Sequence, residues 1–193
     1  MTAGTSLHPQ VRLIEQELAS ATTRAARLVD RTPEPDFTRT PSEGHWSIAE
    51  CLEHLNLTTR AYLPLIDEAL QVGRLFATGS PRRYRRDLTG WLLCRMSEPP
   101  YRLRTTTRPR FVPMMPGTRG EVLSEFVRLQ QELTIRLHRT PGLNLARIRV
   151  VSPFDGRLEY SLYSCFRILP AHQRRHLWQG EQVHRMLELA PAA

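Results

Sequence analysis

Apolar residues return along this chain with a helical beat. Val11, Ile14, Leu18, Ala21, Ala25 and Leu28 are separated by alternating steps of three and four. That spacing puts them on one side of a helix, predicted from about His8 to Arg31. TPEPDFTRTPSEG then interrupts it with three prolines and a glycine. A second helix starts at Ser47, where Ser47 and Glu50 form a capping box and Trp46 packs just outside the first turn. Ile48, Cys51, Leu52, Leu55, Thr59, Tyr62, Leu63 and Ile66 make its core face, and Pro64 is expected to kink or distort it. A third helix is predicted from about Arg119 to Arg139, with Val122, Phe126, Leu129, Leu133 and Leu137 inward, ended by Thr140-Pro141-Gly142. A fourth runs from near Ser161 to about Leu189, with a kink expected at Pro170.

Between the second and third helices the pattern changes. Residues 73–118 carry prolines at 81, 99, 100, 109, 113 and 116, which exclude a long regular helix. A short helix around Leu88 to Met96 is expected, because Trp91, Leu92 and Leu93 call for burial, and the Trp91 region is read as core cover. The rest reads as an extended crossover. The stretch 146–162 looks like a brief extended excursion turning at Asp155-Gly156. The whole is one all-α domain over residues 1–193. It is a four-helix bundle with a long crossover between its second and third helices and minor extended segments, so it is not simply up-down-up-down.

Composition narrows the class. Forty per cent hydrophobic and 24% charged residues suit a globular chain, and no run approaches the ~20 apolar residues that span a bilayer. The N-terminus lacks the basic start and apolar block of a secretory signal, so the expected location is cytoplasmic, with no membrane partner. Cys51, Cys94 and Cys165 form an odd, widely spaced set without CxxC, which fits reduced thiols rather than a disulfide framework or zinc ribbon. The net charge is +8, all 27 basic residues being arginine. Arg82, Arg83, Arg85, Arg86, Arg95, Arg102, Arg104, Arg108 and Arg110 crowd the crossover against Asp87 and Glu98 alone. A solvated face is the first reading of that cluster, and recognition of an anionic cofactor or acidic substrate the second. Nucleic acid ranks third, since no helix-turn-helix, zinc finger or aromatic-basic interleaving supports it.

The candidate chemistry lies on the last helix. His172 and His176 are one turn apart and align with Cys165, Ile168, Gln179, Val183 and Leu187, on what should be the inward stripe. Buried imidazoles need partners, and a shared metal satisfies both, although HxxxH alone is a weak motif. His54 sits at the edge of the second helix's core face, where its side chain can enter an interhelical groove. There it is either a half-buried histidine bonded to a neighbour or the third nitrogen of a metal site with an open position. His8, His45, His138 and His184 read as surface. Glu50 is explained by the cap, with orientation of His54 as the alternative. Gln179 can contact a substrate or metal-bound water, or serve as a core amide. Arg175 can clamp a carboxylate, or make a surface salt bridge. Cys51 and Cys165 read as core.

Trp46-Ser47-Ile48-Ala49-Glu50-Cys51-Leu52-Glu53-His54-Leu55 resembles the second-helix motif of the DinB/YfiT-like superfamily, and His172-Gln173-Arg174-Arg175-His176-Leu177-Trp178-Gln179 resembles its last-helix motif. The motifs come in the expected order, with a matching helix layout between them. The resemblance implies a four-helix bundle holding a divalent metal through three histidines, which by motif position are His54, His172 and His176. Zinc and nickel head the candidate metals, with copper and iron also accepted by imidazole. It further implies a metal-dependent enzyme of the thiol S-transferase type, taking a small electrophilic substrate and a low-molecular-weight thiol such as mycothiol, bacillithiol or glutathione. A metal-activated hydrolase, or a non-catalytic protein that holds an anionic ligand or nucleic acid on the crossover, are the alternatives. Exposed helix faces leave room for a homodimer.

Overall fold

The computed structural model describes residues 6–77, 79–100 and 107–189. Six α-helices follow in order: α1 (Pro9–Arg31), α2 (Glu34–Phe37), α3 (Ile48–Phe76), α4 (Leu88–Ser97), α5 (Arg119–Leu137) and α6 (Leu162–Leu189). A 3-10 turn spans Pro109–Phe111, and two short strands, β1 (Arg149–Val151) and β2 (Glu159–Ser161), pair antiparallel with Val150 opposite Tyr160.

The long helices start where their caps dictate. Ser47 Oγ accepts from the Glu50 N–H at 3.2 Å, and the Glu50 carboxylate accepts from the Ser47 N–H at 2.7 Å. Thr118 and Glu121 repeat the device on α5, so orphan N–H groups are satisfied at both starts. Pro64 and Pro170 do not end their helices: α3 continues to Phe76, past the expected start of the crossover at residue 73, and α6 to Leu189. Flanking turns packed in the core compensate for the missing backbone bond.

α1 packs on α5 and α6, and α3 packs on the same two. The chain-consecutive helices α1 and α3 are therefore diagonal. The core divides into two apolar clusters, and the division fixes direction. One cluster takes the first half of α1 and α6 (Val11, Ile14, Leu18; Leu162, Cys165, Phe166) with the second half of α3 and α5 (Tyr62, Ile66; Leu133, Leu137). The other takes the opposite halves: Ala25 and Leu28, Leu52 and Leu55, Phe126, Leu177 and Val183. Hence α1 and α6 run one way and α3 and α5 the other. The parallel neighbours α3 and α5 need the long crossover that joins them. At the level where the clusters meet, α3 contributes Asn56 and Thr59, α5 Gln130 and α6 Gln173, all buried.

Several expectations are corrected. Trp91 and Leu92 are 48% and 49% exposed, because α4 lies on α6 through its other face, burying Gly90 and Cys94. Gly90 permits that approach, since a Cβ there would stand 2.2 Å from the Ser164 side chain. His184 is buried at 5% exposure, with Nδ1 3.3 Å from Thr32 Oγ1 and Nε2 3.2 Å from Glu188; the drift of a 3.6-residue helix carries it onto the end of α1. His8 is half-buried as the N-cap of α1, accepting from the Gln10 N–H, and His45 is half-buried too. His138 alone of the four is exposed. Arg102 and Arg104 lie outside the described residues. No helix among the described residues is long and apolar enough to cross a membrane.

Candidate metal centre

Three histidines meet where α3 faces α6. One ring nitrogen each from His54, His172 and His176 lies within 4.8 Å of the other two. His54 Nε2 is 3.3 Å from His172 Nε2, and the His54 ring centroid is 4.4 Å from that of His176. His54 is 3% exposed and His176 8%, while His172 is half-buried.

The far side of two rings is fixed. His54 Nδ1 donates to the Phe111 carbonyl at 2.7 Å, so the 3-10 turn of the crossover orients the α3 histidine. His176 Nδ1 donates to Gln179 Oε1 at 3.1 Å, one turn along α6. With the proton placed on Nδ1, Nε2 of each presents its lone pair to the shared centre. Glu50 serves the cap, its Oε2 accepting from the Ser47 N–H and hydroxyl, and among the described residues no hydrogen bond joins it to His54.

Burial is the first cause of depressed basicity in all three rings. His54 is lowered by burial, opposed by its bond to the Phe111 carbonyl, and lowered again by Arg175. His172 is held well below its ordinary value by burial, then by His54 and Arg175. His176 is likewise depressed by burial, then by the other two histidines and Arg175, against the bond to Gln179. Three neutral imidazoles turned toward one point are good ligands for a divalent cation, and the donor set fits one. Cys51 and Cys165, whose thiols burial pushes far up, are core residues.

The cluster opens into a cavity of about 780 Å³. Trp46 forms one wall, its ring 4.9 Å from His54 and 5.8 Å from His176. Phe154, carried in by the β1–β2 turn, lies 4.6 Å from Phe111 and 5.9 Å from His172. Tyr62, Leu158, Ile168 and Met96 add to the apolar lining, and Arg95, Arg108 and Arg175 bring charge. The two acids of the lining are engaged, Asp155 by Arg108 at 3.2 Å and Glu98 by Arg174. Arg175 Nη1 donates to the Met96 carbonyl at 2.9 Å, which ties α4 to the ligand-bearing turn of α6.

Sequence reasoning did not find the Phe111 carbonyl or Phe154 as parts of this site, and it held Arg95 only within the crossover's arginine cluster. A main-chain oxygen has no side-chain signature, and Phe154 arrives from a turn with no helical register. Trp46 was readable as a packing residue, but its place against the histidines was not.

A family model described as the DinB superfamily matches residues 17–179. No curated protein and no solved structure gives a significant match.

Proposed function

The chain belongs to the DinB superfamily, and on that premise we propose that it is a metal-dependent enzyme of the thiol S-transferase type, acting on a small electrophile. The observation that carries this is the convergence of His54, His172 and His176 within 4.8 Å at the base of a cavity of about 780 Å³. Three imidazoles would leave a cation held there a further coordination position for a substrate atom.

His54, His172 and His176 would hold the cation, with zinc or nickel suited to an all-imidazole set. Bound there, it would supply the Lewis acidity that keeps a low-molecular-weight thiol as thiolate at neutral pH. The chain does the rest. Phe111 and Gln179 keep two rings in the tautomer that leaves Nε2 free. Trp46 and Phe154 set aromatic rings beside His54 and His172, where they would shield a bound thiolate from water. Arg175, beside His176 and in the cavity lining, suits a carboxylate on the thiol or substrate, since its planar fork donates to two oxygens at once. In the reaction one C–S bond forms, and the leaving group departs from carbon with the bonding electrons.

The test starts with metal content on untagged protein purified without chelators, beside a His54→Ala, His172→Ala, His176→Ala triple variant. Near-stoichiometric metal in the wild type, absent from a folded variant, is the expected result. Small electrophiles are then offered with and without glutathione, bacillithiol or mycothiol. Turnover requiring both thiol and the histidines supports the assignment. Turnover without thiol would make the protein a hydrolase, and thiol-dependent turnover that survives the triple substitution would sink the proposal.

A further inference from the structure

A second concavity, of about 470 Å³, lies between α1, α4, α6 and the segment leading into α4. Arg83, Arg85 and Arg86 line it from that segment, Arg167 from α6, and Trp91 from α4. No acidic residue among the described ones lines it. From this arrangement we infer that the concavity binds a small phosphate ester bearing a flat ring, the chemistry of a nucleotide, independently of the histidine centre.

Rigidity is the first support. The arginines flank Tyr84, which is 3% exposed and fastened at every polar atom. Its N–H donates to Gln10 Oε1 at 2.6 Å, its carbonyl accepts from Gln10 Nε2 at 3.2 Å, and its hydroxyl donates to the Leu143 carbonyl at 2.7 Å. Its ring stacks on Tyr163 with centroids 4.9 Å apart. Gln10 Nε2 also donates to the Tyr163 hydroxyl at 3.0 Å. A backbone pinned this way projects arginines from both sides of a fixed anchor, so only their side chains remain to be ordered when an anion arrives.

Charge is the second. Among the described residues Arg83 and Arg85 make no ion pair. Arg167 reaches Glu17 at 2.7 Å. Arg86 and Arg167 both line the concavity. Like charges gathered without a lining acid repel one another, and a phosphate relieves that repulsion through paired N–H donors. Trp91 decides the rest of the ligand. It is 48% exposed beside the arginines, where an indole face serves as a stacking platform for a planar ring. Carboxylates alone would leave that face without a partner.

Calorimetry on the full chain with pyrophosphate and with ADP tests this, beside Arg83→Ser/Arg85→Ser and Trp91→Ala. Both changes are at exposed side chains, so circular dichroism should report an unchanged fold. ADP is expected to bind saturably at one site, tighter than pyrophosphate. The arginine double variant should weaken both by roughly tenfold or more, and Trp91→Ala should weaken ADP alone. Wild-type metal content should not change in either variant, which separates this result from the fate of the thiol-transferase proposal. Equal affinity for pyrophosphate and ADP, ADP binding indifferent to the arginine substitutions, or binding confined to heparin or DNA with no competition from ADP would each overturn it.

Discussion

Asp87 joins three parts of the molecule through one carboxylate. Oδ1 accepts from the Gly90 N–H at 2.9 Å as the cap of α4, while Oδ2 accepts from the Ser161 N–H and the Ser164 hydroxyl, both at 2.8 Å. Partial burial pushes its pKa up, but these bonds outweigh it and bring the group to about 2. A folded-state pKa below the ordinary 3.8 means that the carboxylate's contribution to stability is complete above about pH 4 and is lost as pH falls through about 2. Asp87→Asn should cost about 1–2 kcal/mol at neutral pH, where a cap and a link to α6 are weakened together. It should also flatten the acid limb of stability against pH, read by urea denaturation at intervals from pH 5 to 2. Gln179 acts at the same scale. Without its acceptor the His176 ring is free to turn, so Gln179→Leu should weaken metal binding about 10–100-fold with the fold retained, measured by chelator competition. Of these details the sequence contained the residues but not the pairings. The Ser47–Glu50 cap was legible because its partners are three positions apart. The bond from His54 to Phe111 spans 57 positions and ends on a backbone atom.

At the level of elements, the fit of α4 against α6 is the contact most exposed to a single methyl group. A Cβ on Gly90 would fall 2.2 Å from both Ser164 Cβ and Oγ, close to backbone that cannot swing aside. Gly90→Ala should therefore destabilise by about 2–3 kcal/mol, and it should disturb the cavity that α4 helps to wall. Gly73 makes a useful contrast. Its added Cβ would meet Ile148 Cδ1 at 2.3 Å and Cγ1 at 2.9 Å, side-chain atoms that repack without moving backbone, and alanine improves helix propensity by about 1 kcal/mol. Gly73→Ala should thus lower the thermal midpoint much less than Gly90→Ala, a comparison two melting curves decide. Periodicity had located α1, α3, α5 and α6 to within a turn and the small helix α4 as well. Its error over Trp91 and Leu92 has a plain cause: a ten-residue helix has room for one narrow contact, and small residues at Gly90 and Cys94 made that contact closer than large ones could.

Across the whole molecule, the histidine centre ties α3 to α6 over 118 positions of sequence, so occupancy should be felt as stability. A cation bound only by the folded chain and supplied at about a thousand times its dissociation constant adds about 4 kcal/mol. For a chain of this size, that should raise the melting temperature by roughly 8–16 °C. Scanning fluorimetry should show the rise on adding zinc or nickel, its reversal by chelator, and neither effect in the triple histidine variant. The sequence by itself determined the five longer helices, the cap of α3, the stripe that turns His172 and His176 inward and the crossover's wealth of arginine. All of these follow from neighbours within a few residues, through the fixed rise and turn of a helix and the needs of its first N–H groups. The tertiary structure decided what lies between helices: α1 diagonal to α3, α3 parallel to α5, His54 beside the other histidines, Phe154 and Trp46 around them, and four arginines about an exposed indole. Those placements come from close packing among segments distant in the chain, where complementary shape and paired polar groups select one arrangement from the many that the same helical stripes permit.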